Sequence, residues 1–124
     1  MTDRNTIYFG VGATQTSDTT TTIPLYDDVY LYPIRVNCNT TLAFDTSNLD
    51  PEKTAQGSDW GYQILLQITL PATLYTVTFP NGVIWDRGAV PVLNKSQSTY
   101  YVRLEFVDGE IFGCFEGMEI GLQR

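Results

Sequence analysis

The sequence predicts an all-β chain folded as an antiparallel β-sandwich, and three observations carry that expectation. Apolar residues recur with a period of two, no 3.6-residue apolar stripe lasts beyond a turn or two, and Gly, Pro, Asn and Asp separate the alternating segments. The 124 residues fit one domain, large enough to bury roughly two-thirds of its unfolded surface and to fold without a disulfide framework. Helix content should stay below about one-tenth, well under the usual globular share.

In chain order, Thr6-Ile7-Tyr8-Phe9 is a short apolar run closed by Gly10 and Gly12, and residues 13–22 are almost entirely Thr, Ser, Gln and Asp. So polar a stretch offsets little of its own ordering entropy, which predicts a flexible or docked arm; a long surface loop leading into the sheet is the alternative. The expected division is an N-terminal strand and Thr-rich arm over residues 1–22 and a β-sandwich domain over residues 23–124. Residues 28–36 place Tyr30, Tyr32, Ile34 and Val36 on one side, and Pro33, which lacks a ladder donor, predicts an edge strand. Leu42 and Phe44 share one face of the next strand. Residues 46–59 then read as a polar loop with room for a single helical turn at Pro51-Glu52-Lys53-Thr54.

Residues 60–70 alternate most clearly, with Trp60, Tyr62, Ile64, Leu66, Ile68 and Leu70 set against Gly61, Gln63, Leu65, Gln67 and Thr69. Pro71 ends that strand and another runs over residues 74–79. Pro80-Asn81-Gly82 has the chemistry of a three-residue hairpin turn, returning through Val83-Ile84-Trp85 with Trp85 largely buried. The last hairpin can be registered outright, because Asp108-Gly109 is a type I′ turn signal. Phe106 then opposes Ile111, Leu104 opposes Gly113 and Val102 opposes Phe115, an apolar core face with Tyr100 at its end. The other face pairs Val107 with Glu110, Glu105 with Phe112, Arg103 with Cys114 and Tyr101 with Glu116. That face is half apolar, which predicts cover from a second sheet or a neighbouring subunit and makes Tyr101, Phe112 and Cys114 the candidate subunit interface.

Chemistry is bounded mainly by what is missing. A net charge of −7 without a Lys/Arg cluster argues against nucleic acid as a partner. The absence of histidine excludes Ser-His-Asp, Cys-His and His-bearing metal sites. Cys38 and Cys114 are too few and too far apart for a zinc knuckle or a redox pair, so two reduced thiols are expected. The acidic stretches at Asp27-Asp28, residues 45–50 and Asp59 lack the spaced ligands of a calcium loop. No metal, cofactor or catalytic residue is therefore expected. No apolar run approaches the ~18 residues of a membrane span, and only Met-Thr-Asp-Arg-Asn precedes the first apolar stretch, so neither membrane insertion nor a secretory signal is expected and synthesis is placed in the cytoplasm. Aromatic residues make up 13% of the chain. Trp60 with Tyr62 is the candidate glycan platform, set against the plainer reading of core aromatics at the start of a strand.

Residues 68–117 resemble a domain repeated among bacteriophage virion appendages, the C-terminal modules of tail fibres and head fibres. The residues that carry the resemblance are Phe79-Pro80-Asn81-Gly82, Trp85-Asp86-Arg87-Gly88, Pro91-Val92-Leu93, residues 100–106, Asp108-Gly109 and Phe112-Gly113. Arg87 departs from the pattern, standing where Gly or another small residue is usual. The resemblance implies a jelly-roll-like sandwich that assembles as a homotrimer with other virion proteins and serves as a fibre, capsid decoration or host-attachment component, in some cases on a surface glycan. The expected function is thus a non-enzymatic virion structural protein, assembled in the host cytoplasm. The alternatives are a free-standing carbohydrate-binding module and a small glycosidase.

Overall fold

Alternation with a period of two becomes two sheets, and the chain passes from one to the other at nearly every connection. The computed structural model describes residues 9–120. Its strands are β1 (Gly10–Val11), β2 (Gln15–Thr16), β3 (Thr20–Pro24), β4 (Val29–Arg35), β5 (Thr40–Asp45), β6 (Gly61–Thr69), β7 (Val77–Thr78), β8 (Val83–Trp85), β9 (Ser98–Val107) and β10 (Glu110–Ile120). The larger sheet runs β1–β4–β6–β9–β10–β8, with β2 following β1 along the same edge of β4, and the smaller runs β3–β5–β7. From β2 to β8 the strands alternate between the two sheets. β4, β5, β6 and β7 each return beside an earlier strand of their own sheet running the same way, whereas β8 pairs with the later β10. Six of the eight pairings are accordingly parallel, and only β6–β9 and β9–β10 are antiparallel.

The all-β expectation holds, and the antiparallel one is corrected. Alternation reports which face a residue takes and is silent on strand direction. Parallel neighbours need a long crossover, usually a helix; here that crossover is a strand of the facing sheet. No α-helix occurs among the described residues. The single turn expected in the polar loop is present at Pro51–Lys53, capped by Asp50, whose carboxylate accepts from the Glu52 amide at 3.1 Å.

The core lies between the inner faces. Ile23, Leu25 and Leu42 of the smaller sheet and its flanks meet Tyr32, Ile34, Ile64, Leu66, Ile68, Val102, Leu104 and Phe106 of the larger. Phe44 and Phe106 cross edge to face, 6.0 Å apart, and tie β5 to β9.

Four local expectations change. Of the flexible or docked arm expected over residues 13–22, the docked form is found: Gln15–Thr16 pairs with β4, and the expected boundary between residues 22 and 23 falls inside β3. Thr21 and Ser17 are buried, Thr21 Oγ1 lying 2.6 Å from Thr40 Oγ1, while Ser17 Oγ donates to Asn37 Oδ1 and accepts from the Asn37 amide. Threonine is a poor core residue and a good strand residue, and hydrophobicity alone concealed the second property. Thr6, Ile7 and Tyr8 lie outside the described residues; Phe9 sits edge to face on Tyr30.

Pro33 does not mark an edge, because β4 lies between β1/β2 and β6. Leu31 O accepts from Gly12 N and Arg35 O from Ser17 N, so the odd residues of β4 turn their backbone groups toward β1/β2. Pro33 would therefore direct its missing donor at residues 12–14, where β1 has ended and β2 has not begun, and no ladder bond is lost.

Pro80-Asn81-Gly82 joins β7 of one sheet to β8 of the other and is not a hairpin turn. Phe79 turns inward there and meets the half-buried Trp85 edge to face at 5.0 Å.

The C-terminal register holds from Val107–Glu110 to Val102–Phe115 and then shifts at a β-bulge, so that Tyr101 faces Gly117 and not Glu116. Asp108 and Gly109 take the positive φ values (54° and 75°) of the expected turn. Phe115 opposes Val102 as expected but is 47% exposed. The larger sheet is six strands across and the smaller three, so β10 reaches past its cover.

Candidate functional site

The outward face of β9 and β10 and the short segment after β8 build one groove. Alternation sends Arg103 and Glu105 outward from β9, and Phe112 and Cys114 outward from the facing positions of β10. On the far side β8 runs parallel to β10, setting Ile84 beside Phe112 and Trp85 beside Gly113. A Cβ at Gly113 would stand 2.5 Å from the Trp85 ring, so only glycine lets the indole pack against the inward face of β10, beside Phe79, and hold β8 in place while Ile84 faces the groove. The chain then makes a tight turn over Asp86–Gly88, in which Arg87 takes φ 56°, ψ 23°. A non-glycine residue in this left-handed region costs on the order of 1 kcal/mol. The groove encloses about 470 Å³ between Ile84, Trp85, Asp86, Arg87, Arg103, Glu105 and the β10 side chains.

Two of these charges are fixed and two are free. Arg103 is ion-paired to Glu116, the residue displaced by the bulge, and its Nε lies 3.8 Å from Glu105 Oε2, a shielded donor without a hydrogen-bond acceptor. Neither the Arg87 guanidinium nor the Asp86 carboxylate has an ion-pair or hydrogen-bond partner among the described residues.

Of the expected interface residues, Phe112 is 37% exposed and lines the groove with the half-buried Cys114, while Tyr101 accepts a hydrogen bond from Gln67 Nε2 at 3.2 Å. Both cysteines are free thiols. Arg103 and its two carboxylates make this strip more polar than the residue pattern implied.

The Trp60–Tyr62 platform does not form. Trp60 stands just before β6 with 59% of its surface exposed, whereas Tyr62 is 8% exposed, its ring against Phe106 in the core. The Tyr62 hydroxyl donates to Tyr26 O at 2.7 Å, lies 2.9 Å from the Tyr32 hydroxyl and lashes down the turn leading into β4. Burial, reinforced by the Tyr32 hydroxyl, drives its pKa upward and so favours the protonated form that donates. Above it Lys53 sits over the ring and pairs with Asp27 at 3.0 Å.

No family model, curated protein or solved structure matches the chain. Alternation alone places Phe112 and Cys114 on the outward face, but no local signal reveals the β8–β10 partnership that brings Arg87 beside them.

Proposed function

We propose that this protein is a structural component of a bacteriophage virion, a fibre, decoration or attachment protein that acts as a homotrimer through assembly and surface binding and not through catalysis. The observation that carries this reading is β10, a strand that exposes apolar side chains on both faces. Phe112 projects outward, while Phe115 and Met118, opposite the buried Val102 and Tyr100, project inward beyond the edge of the smaller sheet at 47% and 40% exposure. Leaving such area wet forgoes roughly 25 cal/mol per Å² that a neighbour would bury, and closed symmetric assembly is the common remedy. The resemblance over residues 68–117 supplies the virion context. The proposal keeps the sandwich and the trimer and not the jelly-roll strand order, since most of the pairings are parallel.

The test is molecular mass by light scattering behind a sizing column. A mass near three times 13.9 kDa is expected, and Phe115→Glu or Met118→Glu should yield folded monomers. A wild-type mass near 13.9 kDa would overturn the proposal.

A further inference from the structure

Arg87 is strained without a visible return inside the chain. Its backbone is left-handed and is followed by Gly88 at φ 68°, a pair of positions that two glycines would occupy freely. Lys53 and Arg103 are each held by carboxylates of the chain; Arg87, like Arg35 and Lys95, meets none among the described residues, and of these three it alone lines the groove. Backbone strain retained beside a groove is characteristic of ligand clamps.

We infer that the groove between β8 and β10 binds a carboxylate-bearing saccharide, with Arg87 as the clamp on its carboxylate. This deepens the surface-binding half of the proposed function. A volume of about 470 Å³ suits one or two sugar rings. The partly exposed ring of Phe112 offers a flat apolar face, and Asp86, Glu105 and Arg103 offer acceptors and donors to hydroxyls. Arg103 is already matched by Glu105 and Glu116, which leaves Asp86 against Arg87 and a net charge of −1 across the groove in a chain of net charge −7, so an anion approaching the Arg87 side meets less repulsion than over the molecule as a whole. A neutral sugar would leave the guanidinium fork unused, an apolar ligand would strip water from four charged groups, and an inorganic anion would leave Phe112 uncovered.

The experiment titrates glucuronate and N-acetylneuraminate into the full chain, with glucose as the neutral control, and follows backbone amide resonances. Saturable shifts at Arg87, Phe112 and Gly113 are expected from the acids and not from glucose. Arg87→Gly should raise the melting temperature by relieving the backbone while weakening acid binding at least tenfold. Arg87→Lys, which keeps the charge and loses the fork, should fall between. Absence of shifts in the groove, equal response to glucose, or unchanged binding by Arg87→Gly would overturn the assignment. So would an Arg87→Gly effect confined to oligomer mass, which would assign the guanidinium to a neighbouring copy. A monomeric wild type that still binds glucuronate in the groove would sink the trimer and leave this site standing, whereas a trimer indifferent to the acids would do the reverse.

Discussion

Val102 and Phe115 face each other across β9 and β10, on the same side of the same sheet, yet Val102 is fully buried and Phe115 is 47% exposed. Nothing in the two side chains explains the difference; their position relative to the smaller sheet does. Over β4, β6 and β9 the inward residues meet Ile23, Leu42 and Phe44 and become core. Past that cover, equally apolar residues of β10 remain at the surface. Inward direction is a property of one strand, whereas burial needs two layers.

The comparison can be broken most forcefully at Leu104, fully buried in the covered region. Leu104→Ala should cost about 2–5 kcal/mol of unfolding free energy in urea titrations; a loss under 1 would mean that the two regions do not differ as described. Tyr62→Phe comes next, because it removes the shortest of the donors to Tyr26 O while the Val29 amide and the Tyr32 hydroxyl remain, at a cost of about 0.5–1.5 kcal/mol. Phe115→Ser, in the overhang, should change the stability of the isolated chain by about 1 kcal/mol or less while abolishing the proposed trimer in light scattering. The smallest effect belongs to the loop end. The Asp50 amide and then Lys53 lower the pKa of Asp27. A carboxyl whose pKa is lower folded than unfolded stabilises above its unfolded pKa and loses that contribution as pH falls through the folded value. The small thermal advantage of wild type over Asp27→Asn near neutrality should therefore begin to shrink as pH falls below about 4, the ordinary carboxylate range, and be gone only below the lower folded value.

Which of these contrasts the sequence reveals depends on whether a signal is local. The type I′ turn at Asp108-Gly109 fixes its own φ values, so the hairpin register was legible as far as Phe115. It failed at Glu116, where a bulge answers to the Arg103 side chain across the sheet. Alternation over residues 60–70 placed Ile64, Leu66 and Ile68 in the core, and placed Trp60 with them although the strand had not yet entered the sandwich. Pro33 was read as an edge because its missing donor is local knowledge, whereas the gap at residues 12–14 that receives it is not. The groove was hardest to see, since it joins outward residues of β9 and β10 to a turn after β8, and the partnership of β8 with β10 is parallel and separated by the whole of β9.

That partnership also constrains the order in which the chain can acquire its structure. In the larger sheet β8 touches only β10, and β10 reaches the rest of the sheet only through β9. During synthesis residues 83–85 emerge well before residues 110–120 exist, so β8 waits without a ladder partner and the free edge of β6 stays open beside it. Contacts between distant segments dominate this topology, and such pairings form slowly because loop closure precedes any gain from contact. The larger sheet therefore cannot close until residues 110–120 have been made. Until β10 is made, its precursor carries two open strand edges and an unfinished groove, which leaves an interval in which the chain is exposed to misassembly and dependent on dilution or chaperones.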